Sequence, residues 1–166
     1  MSGYGAVDVL YPEEGGGRAA LVVAADERFA AIASEHVVSL DQVAPYEPGH
    51  FYRRELPAIQ AVLAAGPALD LLIVDGFVDL DPAGRPGLGV HVHRAIGIPV
   101  IGVAKTAFRT ATHAVAVRRG TAVKPLYVTA AGLSVARAAS LVEAMAGDYR
   151  LPDALRRVDA LTRGRA

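Results

Sequence analysis

Leu69-Asp70-Leu71-Leu72-Ile73-Val74-Asp75-Gly76 is the stretch that decides the fold. It is a short, nearly continuous apolar run cut off by Asp-Gly, as expected of a strand covered on both faces. Ile98-Pro99-Val100-Ile101-Gly102-Val103-Ala104 repeats the pattern and ends at Lys105. Between the two, a Gly/Pro-rich loop leads to Val90–Ile96, predicted as a short helix. Upstream the pattern is different. Gly5–Tyr11, Arg18–Ala25 and Phe29–Leu40 read as strands in an antiparallel meander, the first pair joined by a loop ending Gly15-Gly16-Gly17. Arg53–Ala65 carries Leu56, Ile59, Ala61, Val62 and Leu63 at helical spacing, with Pro57 near its first turn. Downstream, Ala114–Arg118 and Pro125–Thr129 read as a last strand pair joined by Arg119-Gly120. Leu133–Ala146 and Pro152–Leu161 read as helices. The predicted fold is α/β, a mixed sheet of three antiparallel strands followed by parallel strands, with helices on both faces. One domain is expected over residues 1–166.

Composition narrows the chemistry. The chain is 52% hydrophobic and 20% charged, which suits a packed α/β core. It has no cysteine, so disulfides and thiolate metal sites are excluded. No apolar run approaches the roughly 20 residues that span a bilayer, and the first residues lack the regions of a signal peptide; a cytoplasmic protein is expected. The zero net charge conceals an asymmetry. Residues 1–50 hold two arginines against eight acids, whereas residues 51–166 hold fifteen Lys or Arg against nine acids. A basic second part could meet phosphates, although the neutral total argues against strong non-specific binding.

Several acids sit where strands and helices end. Asp8 lies between Val7 and Val9 inside a predicted strand, where a buried carboxylate needs either an arginine partner or another cation. Asp75 and Lys105 end adjacent buried strands at equivalent places, and ligands of open α/β sheets gather beyond such carboxyl ends. Asp75 could instead cap the turn that Asp-Gly favours. Glu55 opens a helix, where the helix dipole alone would account for it. Asp159 borders the stripe Leu151, Leu155, Val158, and Asp81 follows the Asp75 strand; a plain boundary charge is the simpler account of Asp159. Carboxylates without cysteine or clustered histidine point to a hard cation, Mg²⁺ or Mn²⁺, and to phosphoryl chemistry. His91 and His93 could ligate a metal from a strand, but would diverge on a helix. No dinucleotide, Walker, His-Glu-x-x-His or Gly-x-Ser-x-Gly motif is present.

Pro45-Tyr46-Glu47-Pro48-Gly49 completes the pattern. Prolines and glycine together stiffen a turn that presents a tyrosine, with Arg53-Arg54-Glu55 following. A rigid aromatic beside paired arginines suits a nucleic acid, and a Pro-rich turn capping a core helix is the plainer reading.

These residues resemble the endonuclease V (deoxyribonuclease V) family. The matching pieces run in the family's order: Val7-Asp8-Val9, the Pro45–Gly49 turn with Arg54-Glu55, Val74-Asp75-Gly76, Pro82, and Gly87-Leu88 through His91. Then come Ile98–Lys105, Val123–Val128 and Tyr149-Arg150-Leu151-Pro152. The resemblance implies a ribonuclease H-like fold and a Mg²⁺-dependent endonuclease of DNA repair, cutting the second phosphodiester 3′ of a deaminated base, chiefly inosine. It implies that Asp8, Glu55 and Asp75 bind metal, that Lys105 is the active-site lysine, and that Tyr46 is a wedge flanked by Pro45 and Pro48. Gly49, Gly76, Gly87 and Gly102 match glycines around the family's base pocket. The partner implied is DNA with deaminated bases, and inosine RNA is an alternative. Asp81, Asp159, Val78 and Thr129-Ala130-Ala131-Gly132 stand where the family usually has histidine, histidine, glycine and Ser-Pro-Gly-His. Asp81 and Asp159 are therefore candidate extra metal ligands. The second reading of the same residues is a nucleic-acid-binding relative without full catalysis.

Overall fold

The computed structural model describes residues 3–45, 47–48 and 52–165. Its elements are β1 (Tyr4–Leu10), β2 (Gly17–Ala24), β3 (Ile32–Leu40), α1 (Tyr52–Ala65), β4 (Leu71–Asp75), α2 (Leu88–Ile96) and β5 (Val100–Ala104). They continue with β6 (Val115–Val117), β7 (Leu126–Ala131), α3 (Val135–Ala144) and α4 (Asp153–Thr162). The strands form one sheet in the order β3-β2-β1-β4-β5-β7-β6. β1, β2 and β3 make the expected antiparallel meander, and β1, β4 and β5 run parallel. β7 adds antiparallel to β5 and pairs with β6, so the last pair turns back rather than extending the parallel run.

Burial explains why the central strands read as apolar. Ile73 packs with Ala6, Ile101 and Val103 against α3 and α4, through Leu141, Val142 and Val158. Leu72 and Val74 pack with Val7 and Leu21 against α1 and α2, through Ile59, Val62 and Val92. Both faces are covered, so β4 has no solvent side on which to place polar residues. β3 lies at the edge and alternates between exposed and half-buried positions, which is the two-sided pattern of a peripheral strand.

The differences from expectation lie at element ends and have local causes. β3 starts at Ile32 rather than Phe29, because the Asp26 side chain accepts the backbone N–H of Arg28 and Ala30, each at 3.1 Å. That Asx turn puts Phe29 at a φ of 54°, outside any strand. β4 starts at Leu71, since Asp70 caps the neighbouring chain by accepting the Gly3 N–H at 3.0 Å. Pro57 sits in the second turn of α1 rather than the first, so the Arg53 carbonyl loses its intrahelical donor. No helix among the described residues is long and apolar enough to cross a membrane.

Candidate active site

Strand register assembles the site. Val7 pairs with Val74 in parallel, which sets Asp8, one residue on, beside Asp75. Asp75 pairs with Val103, and Lys105 lies two residues beyond that pair on the next strand. Alternation along the three strands gives Asp8, Asp75 and Lys105 the parity of Ala6, Ile73 and Val103, which face α4. There they line a cleft of about 350 Å³ with Asp159, Leu151, Leu155 and Val158. Asp8 and Asp75 also border a second cleft, of about 620 Å³, on the α1 side, where Glu55, Ile59, Gly76 and Leu88 complete the wall. The two aspartates thus stand where the clefts meet, at the carboxyl edge of the sheet.

Electrostatics set these acids apart from surface carboxylates. Burial and then the Asp75 charge push the Asp8 carboxyl up to about 6; Asp159 adds to this, while the Val9 N–H and Lys105 oppose it. Burial and then Asp8 push Glu55 up to about 7, against the steadying influence of Tyr11 and Arg54. Asp75 is also raised, chiefly by burial and by Asp159, with Lys105 acting the other way. Among these interactions only Lys105 and Arg54 supply positive charge. No three acidic or imidazole side chains among the described residues are drawn tightly enough together to ring a cation by themselves. The donor set nevertheless fits a hard divalent ion. It offers only carboxylate oxygens, and their mutual repulsion is what an added 2+ charge would relieve.

The surrounding segments hold the two strand ends in place. The Arg150 guanidinium donates to the Lys105 carbonyl and, at 2.8 Å, to the Pro125 carbonyl. The loop after Lys105 is fastened to the loop after Asp75 by His113 on Asp79 at 2.7 Å and by the Thr110 hydroxyl on the Leu80 carbonyl at 2.5 Å. Thr129, fully buried, accepts the Val78 N–H at 2.8 Å. Val78 and Thr129, both singled out in the sequence, therefore bond to each other. Thr129→Val keeps the shape but orphans a buried N–H, which is expected to cost about 1–3 kcal/mol. A denaturant midpoint unchanged from the wild type would contradict that account of Thr129.

Not every expected site residue joins the cluster. Asp81 does not: its carboxylate accepts the Arg85 N–H at 3.1 Å and lies 3.9 Å from the Arg85 guanidinium, closing a surface turn. It borders neither cleft, so the structure does not bring it to the other expected ligands. Asp159 does border the α4-side cleft, with its carboxylate held 3.2 Å from Arg163. His91 and His93 lie on α2 and diverge, His91 stacking on Tyr52 and His93 bonding the Ile98 carbonyl at 2.6 Å. Gly76, at a φ of 107°, has open space where a side chain would stand. At Gly102 that space is filled by the Gly76 oxygen at 2.6 Å and Thr129, and at Gly87 by the Phe77 oxygen at 2.7 Å. These two glycines let the segment after Asp75 settle onto the core, which leaves Gly76, among the described ones of the four, as the glycine that borders a cleft. Pro45 and Pro48 are exposed, while Tyr46 and Gly49 lie outside the described residues. An ion pair of 3.1 Å between Glu47 and Arg53 ties the turn to α1.

Comparison with known proteins bears on what this arrangement is. The family model described as Endonuclease V matches residues 3–120. The chain belongs to the endonuclease V family. The endonuclease V of Azotobacter vinelandii is 34% identical across 96% of this chain and 81% of its own length. That of Streptomyces coelicolor is 36% identical across 95% of this chain and 76% of its own. The crystal structure of endonuclease V from Streptomyces avermitilis superposes with a TM-score of 0.82 at 28% identity, covering 99% of this chain and 81% of that one. Ciona intestinalis endonuclease V, crystallised with a 23mer DNA containing an inosine followed by a ribo-adenosine, shares the fold at a TM-score of 0.81 and 19% identity, covering 98% of this chain and 84% of that one. The ribonuclease H-like mixed sheet expected from the sequence is thus the fold of the endonuclease V family.

Proposed function

We propose that this chain is a divalent-metal-dependent endonuclease of DNA repair that cuts a phosphodiester 3′ of a deaminated base, inosine above all. The observation that carries the reading is the raised, mutually repelling set Asp8, Glu55 and Asp75 at the carboxyl edge, with Lys105 alongside. Those three carboxylates would hold Mg²⁺ or Mn²⁺. Such an ion, when bound, supplies an activated water and stabilises charge on the phosphate. Lys105, on the α4 side of the two aspartates, offers its ammonium to the phosphoryl oxygens as charge builds there. Asp159 lies close enough to Asp8 and Asp75 to raise both, and so adds negative charge at the same edge. Tyr46, between Pro45 and Pro48 in the sequence, would fill the gap left by an extruded base. A mispaired inosine costs least to extrude, which gives lesion selectivity a physical origin. Family membership, and a relative crystallised on inosine-containing DNA, support this reading.

A binding-only relative is the second reading, favoured by the Arg163 contact that already occupies the Asp159 carboxylate. An inosine-containing duplex, its inosine-containing RNA counterpart and an undamaged control separate the readings. Each is incubated with Mg²⁺, with Mn²⁺ or with chelator. Metal-dependent nicking beside inosine, lost in Asp75→Ala, is expected. Selective binding without nicking would replace the enzyme reading with the binding one.

A further inference from the structure

The buried Tyr11 hydroxyl and Arg54 Nε lack a well-formed hydrogen bond among the described residues, and the Tyr11 hydroxyl stands within hydrogen-bonding reach of the Glu55 carboxylate. Buried donors are normally satisfied, and because the Nε of Arg119 and Arg150 share this state, the Arg54 Nε counts only together with its stack on Tyr11. These two belong to a single assembly. The Arg54 guanidinium lies over the Tyr11 ring at 3.7 Å from its centroid, close enough for a strong cation–π contact. Tyr11 directly follows β1, the strand that carries Asp8, and Arg54 immediately precedes Glu55 on α1. The stack therefore joins the element bearing one site acid to the element bearing another. It is also close enough to Glu55 for each group to act on its charge, and for Glu55 in turn to make the Tyr11 hydroxyl harder to ionise.

We infer that Tyr11 and Arg54 are the positioning pair for Glu55: their donors would hold its carboxylate and fix the orientation in which it meets a divalent cation. This rests on the proposed metal-dependent reading of the site. The argument is one of supply and demand. A ligating carboxylate has an outer oxygen to satisfy, and neither the Tyr11 hydroxyl nor the Arg54 Nε is claimed by another acceptor among the described residues. Neither residue touches the reacting phosphate in this account. Tyr11 and Arg54 act through Glu55 alone.

The test is metal binding, measured by calorimetric titration of Mn²⁺ into the full chain without nucleic acid, on wild type, Tyr11→Phe and Arg54→Lys. Tyr11→Phe keeps the ring and the stack but removes the hydroxyl; Arg54→Lys keeps the charge but removes the Nε and the flat face. Each is expected to weaken Mn²⁺ affinity by about ten- to a hundredfold. On the inosine duplex, the metal concentration for half-maximal nicking should rise by the same factor, with kcat at saturating metal nearly unchanged. Melting temperatures of the metal-free variants at or above the wild-type value would show that both fold. Wild-type Mn²⁺ affinity in both folded variants overturns the inference, as does a fall in kcat without any change in metal requirement. If the wild type binds Mn²⁺ but nicks nothing, the functional reading fails while the binding comparison still decides the role of Tyr11 and Arg54.

Discussion

Asp8→Asn is expected to make the metal-free protein more stable and the enzyme inactive. The two effects have one origin. Asp8 is buried beside Asp75, and its carboxyl is pushed up to about 6, so at pH 8 the fold holds it ionised against its preference. Asparagine removes that charge, and its side-chain oxygen can still accept the Val9 N–H that Asp8 accepts at 2.9 Å. The gain is on the order of 3 kcal/mol or less at pH 8, from the free-energy equivalent of a shift this size. A rise of several degrees in melting temperature would follow for a chain of this length. Activity goes the other way. If the three carboxylates hold a cation as proposed, neutralising one of them removes several kcal/mol of transition-state stabilisation, about a thousandfold in rate. A variant that is destabilised and inactive would show instead that Asp8 is a structural ion-pair partner.

The second large effect is the pH dependence of the metal-free chain. Asp8 and Glu55 bind a proton more tightly folded than unfolded, with folded values of about 6 and about 7. Between roughly pH 4 and 7 the native state therefore carries more protons than the unfolded state. Stability falls as pH rises through that window. The contribution is fully present below the unfolded carboxyl values and gone once pH has passed the folded ones. Melting temperatures in chelator should be higher at pH 5 than at pH 8, and Mn²⁺ should restore the difference at pH 8. Asp8→Asn should flatten the profile, because it removes one of the titrating groups and relieves the other. A wild-type profile that climbs from pH 5 to pH 8 would contradict this picture.

Much of this site was legible from the chain because parallel strands convert sequence position into spatial position. Asp75 and Lys105 each end an apolar run, and register alone puts them on one edge of the sheet. Asp8 could be added because an acid in an apolar strand demands a partner, and β1 pairs with β4. Glu55 and Asp159 reach the site from helices on opposite faces, so the sequence showed only that they start or flank an amphipathic stretch. Asp81 stands apart from the cluster for a related reason. It follows the Asp75 strand closely, yet a turn closed by Arg85 uses its carboxylate locally, and local hydrogen bonding of Asp in turns leaves no periodic trace. Arg54 and Thr129 stood out in the sequence but not for their contacts, and Tyr11 did not stand out at all. Their roles depend on which donors and acceptors are left over once the sheet has closed, and spacing does not encode that.

The glycines show the same division. Gly76 was expected to line a pocket and does border the α1-side cleft. Gly102 and Gly87 instead lie under the segment that follows Asp75, where a side chain would collide with its backbone. A glycine that admits a ligand and one that admits the protein's own loop look alike in sequence.

The central claim is that the fold leaves Asp8, Glu55 and Asp75 short of positive charge so that a divalent cation can supply it. Calorimetric titration of Mn²⁺ into the wild-type chain at pH 8, beside Asp75→Asn, tests it most directly. Saturable binding in the wild type, and at least about tenfold weaker binding in the variant, is the result predicted. No binding in the wild type, or equal binding in both, would contradict it.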